Sequence, residues 1–240
     1  MPGYQTKEER VEIAGAAPLQ MRSLLDRQQF SDPLGAAARL GISSASWPLF
    51  GMLWPSGAHL AACLATHALQ PGQRILEVGC GLALASLVGH RRGANMTASD
   101  CHPLAAEFLR FNLQLNGLPP MSYCHGEWDG MLEGCAVNEA VSPGYGLIIG
   151  SDVLYDRDAC TALAGFIGRH ASDATASEVW IVDPERGNRP AFTRLMAAQG
   201  YGLEQLRLDT PATPIKPAYR GRLLRYRRLP QAAVFATAAV

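Results

Sequence analysis

Apolar and polar positions alternate along the chain so as to predict a repeating βα body preceded by a shorter, less regular segment. Arg74-Ile-Leu-Glu-Val78 is a brief apolar run rich in strand formers. It breaks at Gly79-Cys-Gly81 into helical spacing from Leu84 to Arg92, and a second strand ends at Asp100. Next, Leu104, Phe108, Phe111 and Leu115 fall on one helical face, with Pro103 suited to the first turn and Gly117 to the stop. A strand is expected from Met121 to about His125. The continuous apolar run from Tyr145 to Gly150 reads as a central strand covered on both faces. A helix from about Asp158 to His170, a strand from Glu178, and a helix that Asn188 can cap before Gly200 continue the repeat. Residues 203–209 and 221–228 read as two final strands joined by the proline-rich loop Thr210 to Pro217. Strands alternating with helices predict an α/β, Rossmann-like doubly wound sheet.

Residues 1–46 form an N-terminal extension to the main domain, residues 47–240. Partial alternation from Tyr4 to Ile13 suggests an edge hairpin. Apolar positions from Leu19 to Phe30 are near helical spacing, with Asp26, Arg27, Gln28 and Gln29 as a polar face. Either a flap over the sheet or a lid on the substrate side fits this piece. The aromatic and proline-rich stretch Trp47 to Gly57 leads into a helix expected from Ala58 to about Leu69.

Composition narrows the function classes. In 240 residues, Lys+Arg and Asp+Glu both count 21, so no global field draws the chain to nucleic acid or a membrane surface. After Asp209 every charged residue is basic, Lys216 and Arg220 to Arg228 included, and a solvated or snorkelling strand face accounts for them. The six cysteines, at 63, 80, 101, 124, 135 and 160, form no C-x-x-C pair and no metal-ligand spacing with histidine, so no metal is expected and reduced thiols are the simplest account. Lys7, Glu8, Glu9 and Arg10 stand where a signal peptide would need an apolar core, which points to the cytoplasm. No Asp, Glu, Lys or Arg lies between Arg39 and Arg74, yet Pro48, Gly51, Pro55 and Gly57 break that stretch into pieces too short to span a bilayer. The tail from Ala232 to Val240 is small and apolar, and loose order is expected of it.

The strand–glycine turn–helix at 74–100 carries candidate chemistry. Gly79 and Gly81 permit a tight turn and close approach of backbone to ligand, and the following helix opens with free N–H groups. Asp100 ends the second strand about 20 positions on, where a carboxylate can accept the hydroxyls of a ribose. A dinucleotide is disfavoured, because Leu84 stands where G-x-G-x-x-G needs its third glycine.

Glu77, Gly79, Gly81 and Ala83 give E-x-G-x-G-x-A, which resembles motif I of the seven-strand S-adenosylmethionine methyltransferases. Trp54-Pro-Ser-Gly57 resembles the segment before motif I in methyltransferase family 16, a group with many protein-lysine methyltransferases. Asp152-Val-Leu-Tyr155 resembles that family's D-x-x-Y/F motif after strand four. Asp183-Pro-Glu-Arg186 resembles D-P-G-R of the nicotinamide N-methyltransferase-like branch, with Glu185 in place of glycine. The resemblance implies strand order 3-2-1-4-5-7-6 and S-adenosylmethionine as cofactor. It further implies cofactor contacts from Trp54, Glu77, Gly79, Cys80, Gly81, Asp100, Trp128 (at the adenine) and Ser151, with Asp152 and Tyr155 at the acceptor. Core packing for the tryptophans, a helix cap for Asp152, and an Asp183–Arg186 pair are the structural alternatives. The activity implied is methylation of a protein lysine, or of a small amine by the same cofactor site; a SAM-binding scaffold without turnover is the third reading. Oligomeric state is not written in the sequence.

Overall fold

The computed structural model describes residues 3–134, 144–173, 176–214 and 217–228. The expectation for the tail from Ala232 falls outside them. Strands β1 (Thr6–Ile13) and β2 (Ala16–Leu24) pair antiparallel as a separate hairpin. A short α1 (Ala36–Arg39) and a 3-10 turn (Trp47–Gly51) lead to α2 (Pro55–Thr66). Then come β3 (Arg74–Val78), α3 (Leu84–Arg91), β4 (Asn95–Asp100), α4 (Ala105–Leu115), β5 (Ser122–Gly126), β6 (Leu132–Glu133), β7 (Leu147–Ser151), α5 (Arg157–His170), β8 (Ser177–Asp183), α6 (Arg189–Ala198), β9 (Gly202–Arg207) and β10 (Arg222–Arg228).

Among the described residues the main sheet has eight strands in the order β6-β5-β4-β3-β7-β8-β10-β9. β5, β4, β3, β7 and β8 run parallel, and β10 and β9 are antiparallel. The seven strands expected from the sequence thus lie in the order 3-2-1-4-5-7-6. The eighth, β6, is a two-residue strand antiparallel to the β5 edge that no periodicity announces. One core layer joins α2, α3, α4 and the hairpin through Leu60, Leu64, Leu87, Phe108, Leu19 and Met21; the other joins α5 and α6 through Leu163, Phe166, Phe192 and Met196.

Three expectations are corrected here. The helix expected over Leu19–Phe30 is strand in its first half, to Leu24, and irregular beyond: Leu19, Met21 and Ser23 are buried in alternation, a period of two, and the adjacent apolar Leu24 and Leu25 gave the false helical spacing. Four cysteines, 63, 80, 101 and 160, are free thiols, but Cys124 is disulfide-bonded, so the reduced-thiol expectation fails there. Bridging depends on Cα atoms coming within about 7 Å, which sequence spacing does not show. Asn188 occupies the cap position of α6, but its Nδ2 donates to the Leu154 carbonyl at 2.9 Å instead of closing the helix.

The outer edge of β2 is met by side chains. On α4, Asn112 Oδ1 accepts the Arg22 N–H at 2.7 Å and its Nδ2 donates to the Arg22 carbonyl at 3.3 Å. One turn on, Asn116 does the same for Gln20, at 2.9 and 2.8 Å. Arg91 of α3 donates to the carbonyls of Pro18 and Ala17. By length and composition Trp47–Thr66 could cross a membrane, but the structure divides it at the turn before Pro55 and packs Leu60, Ala61 and Leu64 in the core. The C-terminal arginines are engaged within the fold: Arg222 meets Glu185, Arg227 meets Glu178, Arg228 meets Asp173, and Arg225 lies 4.9 Å over Trp180.

Candidate functional site

In parallel α/β sheets ligands bind beyond the carboxyl ends of the strands. Among the described residues, those other than glycine with left-handed backbone, Ala83, Asp152 and Glu185, all follow such ends, those of β3, β7 and β8. Left-handed residues outside glycine carry local strain that the surroundings must hold.

The β3–α3 turn is held from two directions. Glu77 is buried and its Oε2 accepts the Ser86 N–H at 2.8 Å and the Ser86 hydroxyl. It thereby closes the start of α3, which has no side-chain cap of its own. Asp100, 9% exposed at the tip of β4, accepts the Gly81 N–H on Oδ2 and the His102 N–H on Oδ1, both at 2.8 Å. A carboxylate has about four acceptor positions, so capacity remains here for a ligand hydroxyl. Burial raises the Asp100 pKa against the pull of those N–H groups. Cys80 is buried and donates its N–H to the Ser99 carbonyl at 3.0 Å. Gly81 has φ +51°, and a Cβ there would stand 2.7 Å from the Phe50 carbonyl oxygen.

Burial pushes the Glu77 carboxyl from 4.5 up to about 7. Between those values the folded chain keeps a proton that the unfolded chain has released. Its contribution to stability therefore falls as pH rises across that window. Glu77→Gln keeps an acceptor for Ser86 and is expected to flatten this slope, read as melting temperature from about pH 5 to about pH 8. A variant with the parent's full pH dependence would show that Glu77 does not carry it.

Trp128 and Tyr155 are brought together beside this turn. Their rings stack at 5.8 Å and 22°, and a Cβ on Gly79 would lie 3.5 Å from the Trp128 ring. Burial raises the Tyr155 pKa, and the nearby Asp100 carboxylate adds to the effect. Trp54 is placed differently: its Nε1 donates to the Leu49 carbonyl at 2.9 Å and the Arg27 guanidinium lies 5.5 Å over its ring. Ser151 ends β7, and its Oγ would stand 3.6 Å from a Cβ on Gly57 in α2.

Asp152 follows β7 directly, with φ +60° and its N–H bonded to the Val182 carbonyl at 2.9 Å. It does not cap α5; Asp156 does, accepting the Ala159 N–H at 2.7 Å. Nor do Asp183 and Arg186 form the alternative pair. Arg186 Nε donates to Asp152 Oδ1, while Asp183 is buried with no side-chain partner and faces the backbone N–H groups of Glu185 and Arg186. Glu185 takes φ +62°, the left-handed geometry that a glycine at this place in D-P-G-R would adopt freely. The sequence reading missed the Asp152–Arg186 link, whose partners are 34 positions apart. It also missed His102, buried against Phe50 with ring centroids 3.6 Å apart and its pKa lowered by burial to about 4.

Comparison with known proteins gives this site a family context. The model of a family described as lysine methyltransferase matches residues 48–191, more than half of the chain. An electron transfer flavoprotein beta subunit lysine methyltransferase of Xenopus laevis is 27% identical over 161 residues, 65% of this chain and 61% of that protein. A histone-arginine methyltransferase of Mus musculus is 32% identical over 112 residues, 45% of this chain and 42% of that protein. This chain thus spans less than two thirds of the length of both relatives. Among solved structures, magnesium protoporphyrin IX methyltransferase of Synechocystis PCC 6803 with bound SAM superposes with a TM-score of 0.53. It is 16% identical, covers 72% of this chain and 77% of its own, and shares the fold.

Proposed function

The chain belongs to the lysine methyltransferase family, and on that footing we propose that it transfers a methyl group from S-adenosylmethionine to a nitrogen, the side-chain amine of a lysine in a protein. The observation that carries this reading is the pairing of two geometries at adjacent strand ends. One is a glycine turn whose Gly81 N–H is pinned by a carboxylate with acceptor capacity to spare; the other is Asp152, whose carboxylate already holds a cation.

The residues fit the cofactor by the chemistry of their donors and acceptors. Asp100 would take the ribose hydroxyls, Gly79, Cys80 and Gly81 would present backbone, and Trp128 offers an aromatic face next to Gly79. Glu77 serves the same site by fixing the turn, Ser151 lines the β7 end, and Trp54 contributes from the start of α2. When bound, S-adenosylmethionine supplies a methyl group already activated by a sulfonium. The protein's work is then alignment and exclusion of water, not acid–base chemistry. Asp152 would orient the acceptor amine and Tyr155, 55% exposed, would wall its approach. A lysine near pKa ~10.4 must shed its proton before it can attack, and desolvation beside a positive charge favours the neutral form.

Methyl transfer from tritiated S-adenosylmethionine into a host lysate tests the proposal, with labelled protein digested to amino acids. Label in methylated lysine is expected. Label confined to methylated arginine or to small solutes would overturn the lysine assignment. On the substrate so identified, Asp152→Asn is expected to lower kcat and kcat/KM together while cofactor affinity holds. Full activity in that variant would remove Asp152 from the acceptor site.

A further inference from the structure

The loop after β8 returns a charged side chain across the neighbouring strand end. Pro184 and the left-handed Glu185 and Gly187 bend the main chain, and Arg186 donates its Nε–H to Asp152. The main chain on either side is anchored. Glu185 accepts from Arg222 Nε of β10 at 3.1 Å, and Asn188 donates to the Leu154 carbonyl. The side chain itself is not enclosed: Arg186 is 42% exposed, whereas the Asp152 it holds is 13% exposed. The guanidinium is the more exposed partner of the pair.

Charge around the pair is unbalanced. Asp183, 1% exposed, has no side-chain hydrogen-bond partner, only the backbone N–H groups of Glu185 and Arg186 favouring its charge, and it acts electrostatically on Arg186 as Asp152 does, raising the arginine's pKa further. The same two carboxylates raise the pKa of Tyr219, whose hydroxyl meets Ser56 of α2 at 3.0 Å. Arg189, from the start of α6, is the other cation felt by Asp183. Removing Arg186 would leave a little-exposed Asp152 without its cation, a costly state unless another cation takes its place.

We infer that Arg186 is an internal counter-ion competing with the acceptor's ammonium for Asp152, holding the carboxylate while no acceptor is bound and yielding it when one docks. This rests on the acceptor reading above and deepens it, because it makes the site selective by exchange. A cation can replace Arg186 on Asp152. A neutral amide, a hydroxyl or an anion cannot, since none restores the lost ion pair. The acceptor docks in its charged form and releases its proton to water before the methyl group is transferred.

The test uses n-butylammonium, a lysine side chain without its backbone, titrated into the protein saturated with S-adenosylhomocysteine. Tetramethylammonium, which cannot donate a hydrogen bond, serves as control at equal ionic strength. With ¹⁵N-arginine labelling, the Arg186 Nε–H resonance, assigned by its absence in Arg186→Met, should shift with the first salt and not the second. Arg186→Met should bind n-butylammonium about three- to tenfold more tightly, the scale of a partly exposed ion pair removed from competition. Arg186→Lys, which keeps the charge, should stay near the parent and checks that the loop folds. Equal or weaker binding in Arg186→Met, or an Arg186 resonance blind to n-butylammonium, would overturn the proposal and make Arg186 a fixed loop anchor. These readouts need no turnover. Failure of labelled transfer in the lysate would count against the enzymatic reading alone, and a failed titration beside successful transfer would count against the counter-ion alone.

Discussion

Gly81→Ala should lower the melting temperature of the ligand-free protein by roughly 5–15 °C and abolish cofactor binding at concentrations that saturate the parent. Two costs add at this residue. Its φ of +51° is a conformation that an alanine adopts at a penalty of about 1–2 kcal/mol. The new Cβ would also stand 2.7 Å from the Phe50 carbonyl oxygen, a backbone atom that cannot rotate away. Together these come to about 2–4 kcal/mol, and in a chain of this size each kcal/mol moves the midpoint by about 2–4 °C. Gly93→Ala separates the terms, since Gly93 has φ +83° but nothing within 4 Å of its would-be Cβ. If both variants melt alike, the contact with Phe50 is not what makes Gly81 necessary.

Asp100→Ala should weaken S-adenosylhomocysteine binding by about 10- to 150-fold, the loss of charge-assisted hydrogen bonds worth about 1.5–3 kcal/mol. It should also lower stability without ligand, because the Gly81 and His102 N–H groups both lose their acceptor. Asp100→Asn is the informative companion. Its single acceptor oxygen can serve one of those N–H groups while its NH2 faces the other, so it should lose part of the stability and most of the affinity. Calorimetric titration together with melting in the absence of ligand reads both. Unchanged affinity in a folded Asp100→Ala protein would make Asp100 a turn fastener with no ligand.

These expectations differ in how far they could be read before the structure. The strand, glycine turn and helix at 74–100 were legible because apolar period, turn residue and the terminal carboxylate all agree locally. The end of β7 was legible as a place but not as a circuit. Which carboxylate caps α5 depended on a register of a few residues between Asp152 and Asp156. The partner of Arg186 depended on how two loops, each with a left-handed non-glycine residue, cross at adjacent strand ends. Outside glycine, only Asn, Asp and His are enriched in such conformations, too weakly to single out Asp152 in advance and not at all for Glu185. The hairpin was half legible: β1 shows its alternation, whereas β2 ends on Leu24 beside the apolar Leu25, which blurs a period of two into something helical.

The asparagines of α4 have a further consequence for how the molecule behaves among its own copies. A strand at the margin of a sheet presents free N–H and C=O groups, which is an invitation to add a foreign strand. On β2 those groups at Gln20 and Arg22 are consumed by Asn116 and Asn112, and the carbonyls of Ala17 and Pro18 by Arg91. Helical side chains thus stand in for a neighbouring strand. The β2 edge is thereby closed to a foreign strand, and the same asparagine pair fixes the hairpin's register on the body, since a slip of one residue would point each amide at groups already bonded to β1.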